Sequence, residues 1–75
     1  MATKISKNMT AKELSKKYSF KELEKACGGW INEVRRFEDG SCMIFAMDRT
    51  VVIKGINKTR AAAMMFLALK EKEAI

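Results

Sequence analysis

The chain has 75 residues, one domain's worth, and sets 15 Lys and Arg against 9 acids for a net charge of +6. A domain this short buries only ~60 % of its unfolded surface, so a bound partner or a second copy would add needed stability. Hydrophobic content of 48 % beside 32 % charge excludes the disordered class, and no apolar run approaches the ~18 residues of a membrane span.

Residues 1–9 are basic with no apolar stretch behind them, which predicts a flexible lead-in rather than a secretory signal and makes the cytoplasm the default compartment. Residues 10–75 contain no proline and no internal repeat, and are predicted to form a single small α+β domain. Thr10-Ala11-Lys12-Glu13 has the form of a capping box, so a short helix is expected to about Lys17. Ser19-Phe20-Lys21-Glu22 repeats the signature at once. Phe20, Leu23 and Ala26 or Cys27 then recur at helical spacing until Gly28-Gly29 stops the segment.

Trp30, Ile31, Val34 and Phe37 suit a helix as well as a strand, and Asp39-Gly40 decides between them as a strong hairpin signal with β-compatible sequence on both sides. Strands are therefore expected over residues 31–38 and 41–47. A two-residue type I′ turn would set Glu38 opposite Ser41 and Val34 opposite Phe45. Residues 42–47 are apolar throughout, which suits a central strand covered on at least one face. Asp48-Arg49 marks a second tight turn, and the β-branched residues 50–54 make the third strand.

Asn57 or Thr59 is expected to cap a last helix running to about Lys72. All nine residues from Ala61 to Leu69 are apolar, more than the single stripe that a surface helix needs. The sheet on one side and the N-terminal helices on the other would cover them. Otherwise Met64, Leu67 and Ala68, with Trp30 as an aromatic anchor, would meet another protein or a second copy of the chain.

The composition argues against catalysis. Cys27 and Cys42 stand alone without a C-x-x-C pairing, and the chain has no histidine, so the commonest general base and half the usual zinc ligands are absent. Both cysteines are read as small core residues, and neither cofactor nor metal is expected. The charge is uneven: residues 1–30 hold seven Lys against three Glu, and residues 49–60 hold Arg49, Lys54, Lys58 and Arg60 with no acid. Cations in a first helical turn oppose the helix dipole by ~0.3–1 kcal/mol, and a bound phosphate would offset that cost. The bland reading keeps Lys58 and Arg60 as solvated groups whose stems cover apolar neighbours.

The order helix, helix, three antiparallel strands, helix, with Gly55-Ile56-Asn57-Lys58-Thr59-Arg60-Ala61-Ala62-Ala63 opening the last helix, resembles the double-stranded RNA-binding domain. That resemblance covers about fifty residues in order of elements and about fifteen in sequence, and implies that Lys58 and Arg60, with Lys54, grip phosphates. The first connecting loop departs from the family, being a minimal Asp39-Gly40 turn without its proline and histidine. Three strands followed by a helix also resemble the sheet modules of integrase arm domains and plant AP2-type factors, which would make Arg35, Arg36 and Arg49 the readers. The segment from Thr10 to Ser19 looks like the start of a helix-turn-helix, but Lys25, Glu22 and Glu24 suit a recognition helix poorly. The expectation is thus a non-catalytic protein binding DNA or RNA through Arg49, Lys54, Lys58 and Arg60. The rival is a small phage- or plasmid-type inhibitor or adaptor that binds an acidic protein surface, dimeric through its last helix.

Overall fold

Two capping boxes open the fold in the computed structural model, which describes residues 9–75. At the start of α1 (Ala11–Lys17) the Glu13 N–H donates to the Thr10 hydroxyl at 3.2 Å and the Thr10 N–H donates to the Glu13 carboxylate at 2.9 Å. Ser19 and Glu22 repeat this exchange at the start of α2 (Phe20–Ala26). Each box satisfies two amides that a seven-residue helix leaves unpaired, yet helices this short are marginal by themselves. What holds them is packing, and each buries one leucine completely, Leu14 and Leu23. Of the expected flexible lead-in over residues 1–9, residues 1–8 lie outside the described residues, whereas Met9 packs half-buried against the core.

The three strands, β1 (Ile31–Arg36), β2 (Cys42–Ala46) and β3 (Val52–Gly55), form an antiparallel meander with β2 in the centre. Alternation along β2 sorts the sheet into two faces: Cys42, Ile44 and Ala46 are fully buried, while Met43 and Phe45 point the other way. Val34 and Ile53 lie opposite Ile44 on the covered face. Glu33 and Val52 flank Phe45 on the open face, and Arg35 and Lys54 flank Met43.

This register corrects the expected one. Val34 pairs with Ile44 rather than Phe45, and Arg36 with Cys42, because the loop is the three residues Glu38-Asp39-Gly40, closed by Phe37 and Ser41. A type I′ turn needs φ > 0 at both central residues, and here only Gly40 (φ 88°) adopts it. Asp39 instead accepts the N–H and hydroxyl of Ser41 on one carboxylate oxygen, at 2.9 and 2.6 Å. The second turn is also wider than expected: the Ala46 N–H reaches the Val51 carbonyl, leaving residues 47–50 as the loop, with Arg49 at φ 60°. Thr50 leaves the third strand because its N–H and hydroxyl both donate to Asp48.

α3 (Lys58–Glu71) is capped by Asn57, whose side chain accepts the Arg60 N–H at 2.8 Å. It lies between two layers, with β2 and β3 on one side and α1 and α2 on the other. That position explains a helix apolar all round. Ala61, Ala62, Ala63, Met65, Phe66 and Leu69 are buried, leaving only a half-buried stripe that includes Met64, Leu67 and Ala68. The helix start comes so close to the end of β3 that a Cβ on Gly55 would sit 2.6 Å from the Ala61 nitrogen. Among the described residues no helix is long and apolar enough to cross a membrane.

Candidate nucleic-acid interface

The open face of the sheet is where side chains of β1, β2 and β3 meet solvent, with no helix among the described residues packed over them. Its middle row is Arg35, Met43 and Lys54, and the next is Glu33, Phe45 and Val52. Phe37, the residue after β1, continues that face beyond Arg35, and Met47 continues it beyond Phe45, its N–H still bonded to the Trp30 carbonyl. Phe37 (42 % exposed), Met47 (57 %) and Val52 (48 %) are three of the four exposed large apolar side chains among the described residues, and the fourth, Ile56 (66 %), directly follows β3.

Cations stand at both phenylalanines. The Arg35 and Arg49 guanidiniums lie 5.7 and 5.8 Å from the centre of the Phe45 ring, and the Lys54 ammonium lies 5.4 Å from that of Phe37. Glu33 holds the two arginines there, accepting from Arg35 Nε at 2.6 Å and lying 3.8 Å from Arg49. The chain reaches this arrangement locally. The three-residue first loop sets the register that places Arg35 and Phe45 on one face, and the left-handed conformation of Arg49 turns the second loop so that its side chain reaches back over β2. At one end of the face, Gly28, Gly29, Trp30, Met47 and Asp48 frame an open groove of about 340 Å³.

The four cations expected to act as one block are divided. Arg49 and Lys54 join Arg35 on the open face, whereas Lys58 and Arg60 belong to the helical side. The Lys58 ammonium lies 5.0 Å from the centre of the Phe20 ring, and Arg60 Nε donates to the Ser15 hydroxyl at 3.3 Å. Lys58 also edges a groove with Ser15, Tyr18, Ser19, Phe20, Lys21, Glu24 and Thr59. Arg36 pairs with Cys42 on the covered side, so it sits apart from Arg35. Burial pushes the Cys42 thiol up from its ordinary value, and the nearby charges of Arg36 and Lys58 oppose that rise. Of the side chains expected to face a protein partner, Trp30 and Leu67 pack half-buried on the core, and Met64 and Ala68 are half-buried on α3.

Both cysteines are buried free thiols, and burial, reinforced by Glu24, drives Cys27 up to about 12. Neither is poised as a nucleophile. No group of three or more metal-ligating side chains occurs among the described residues. Sequence reasoning missed Phe37, Met43, Phe45 and Val52 as surface groups. The alternation of β2 carried the signal, but only the correct hairpin register turns it into a face shared with Arg35. Comparison with known proteins adds no relative: no family model matches the chain, and no curated protein or solved structure matches it significantly.

Proposed function

We propose that the chain is a non-catalytic nucleic-acid-binding module whose interface is the open face of the sheet. One observation carries this reading: Arg35, Arg49 and Lys54 converge on a flat surface whose strand residues include a single acid, Glu33. The net charge of +6 would draw a polyanion toward the protein, and these three side chains, on long stems beside the exposed Phe37 ring and the half-buried Phe45 ring, can reach its phosphates. Lys58 and Arg60 contribute less to this interface, because they stand beside Phe20 and Ser15 on the helical side and not on the open face.

Binding to mixed oligonucleotides should weaken steeply with salt. With three phosphate contacts the slope of log K against log salt is about −2 for single strands or about −3 for duplex, and Arg49→Ala or Lys54→Ala should each make it shallower by about one. Absence of binding at low salt would overturn the proposal. The second reading, an adaptor for an acidic protein surface or a homodimer, is favoured by the exposed Met47, Val52 and Ile56, which carry no charge for phosphates. A molar mass twice that of the 8.5 kDa chain, lost when Val52 becomes Glu, would support that reading instead.

A further inference from the structure

Resting on the proposed nucleic-acid interface, we infer that its ligand class is single-stranded, with bases stacked on Phe45 and Phe37 and the flanking phosphates held by Arg35, Arg49 and Lys54. The apolar half of the face decides between strand classes. A duplex keeps its base faces inside its own stack and offers a flat protein surface only phosphates and sugars, from which phenylalanine rings gain nothing. A single strand exposes base faces, and every base has one, so rings and cations side by side are the combination that matches it. A sheet can enter a duplex groove, but there it reads base edges through polar and charged side chains, and Met43, Phe45 and Val52 on this face have nothing to hydrogen-bond to those edges.

The placement sets a footprint. Phe45 lies opposite Glu33, and Phe37 is four residues further along the β1 side, about 13 Å away at ~3.3 Å per residue, with Met43 between. Even at the ~3.4 Å rise of a fully stacked strand, contact with both rings takes about five nucleotides, and a more extended single strand takes fewer. In the free protein the guanidiniums of Arg35 and Arg49 stand at the Phe45 ring, held by Glu33. A base takes that place, and the cations swing outward on their stems to the phosphates on either side. Both arginines are about two-thirds exposed, and Arg49, 3.8 Å from Glu33, is freer to move than Arg35 at 2.6 Å. Beyond Phe45 the strand reaches Met47 and the Trp30 groove, so the only tryptophan of the chain reports on occupancy by its fluorescence.

The test is fluorescence anisotropy of the full chain at low salt against a labelled 12-nucleotide oligo-dT, a duplex of the same length, and an abasic 12-mer of equal charge. Oligo-dT should bind at least tenfold more tightly than either of the others and should quench Trp30. Phe45→Leu and Phe37→Leu should each weaken oligo-dT by about fivefold or more while leaving the abasic strand unaffected. Circular dichroism checks that both variants fold, and the abasic comparison needs no variant at all. Equal binding of the abasic strand or tighter binding of the duplex would overturn the stacking inference and leave the phosphate interface standing. If none of the three binds, both readings fall together.

Discussion

At the residue scale the sharpest constraint is Gly55. Its backbone is not left-handed, so what requires glycine is the close approach of the next element. An added Cβ would meet the Ala61 nitrogen at 2.6 Å, its Cα at 2.8 Å and its Cβ at 3.0 Å, and two of these are backbone atoms that cannot swing away. Gly55→Ala should therefore lift the start of α3 off β3 and cost about 1–3 kcal/mol in urea unfolding, and an unchanged midpoint would contradict the packing described. Asp39 and Asp48 give a second residue-level expectation. Each is held below the ordinary aspartate value of 3.8, Asp39 foremost by the Ser41 hydroxyl and then its amide, and Asp48 foremost by the Thr50 amide and then its hydroxyl. A carboxylate with a depressed folded pKa stabilises fully above its unfolded pKa and loses that contribution as pH falls through the folded value. Both loops should thus hold at pH 5 and loosen only below pH 3.8. The Ser41 and Thr50 amide shifts, followed by NMR, should titrate with midpoints under that value.

At the scale of elements, the helices show what sequence makes legible. Thr10/Glu13 and Ser19/Glu22 are local patterns whose partners lie three residues apart, and Asn57 caps α3 in the same way, so helix starts follow from the chain alone. Ser19→Ala should test how much α2 depends on its cap. A loss of about 0.5–2 kcal/mol is expected, and Glu22→Ala in the same background should add little because the box is already broken. Strand pairing is less legible, since Asp39-Gly40 announces a hairpin without fixing its loop length. One residue separates a two-residue turn from the observed loop of Glu38, Asp39 and Gly40, and with a side-chain period of two that slip moves all of β1 to the opposite face relative to β2. Under the expected register Val34 would share a face with Phe45. Under the observed one Glu33 and Arg35 do, so the candidate site emerges from a detail of the turn that residue types alone leave open. The apolar circumference of α3, by contrast, called for cover either from the rest of the domain or from another protein, and the sheet and the two short helices supply most of it, with Met64, Leu67 and Ala68 left half-buried.

At the scale of the whole molecule, the fold divides the basic residues between two sides. The acid-free run from Arg49 to Arg60 reads as one block in sequence, but β3 carries it across the sheet, leaving Arg49 and Lys54 on the open face and bringing Lys58 and Arg60 to the helical layer. There the first-turn cations that oppose the helix dipole are compensated inside the chain, by the Phe20 ring for Lys58 and the Ser15 hydroxyl for Arg60. The two groups meet solvent on different sides of the sheet, and the salt in that solvent damps their mutual field, the screening length being ~8 Å at physiological ionic strength. The paired change of Lys58 and Arg60 to Ala removes these contacts and the dipole cost together, so it should lower stability by at most about 1 kcal/mol while oligonucleotide affinity stays within about threefold. Arg35→Ala with Arg49→Ala should do the reverse, costing tenfold or more in affinity while the melting temperature hardly moves, because both side chains are exposed and surface ion pairs such as theirs with Glu33 add little to stability. A result in which the helix-start pair abolishes binding and the sheet pair does not would move the interface to the amino end of α3, where the resemblance to a double-stranded RNA-binding motif would set it. Stability and affinity measured on the same two double variants thus separate the proposed sheet interface from one at the start of α3.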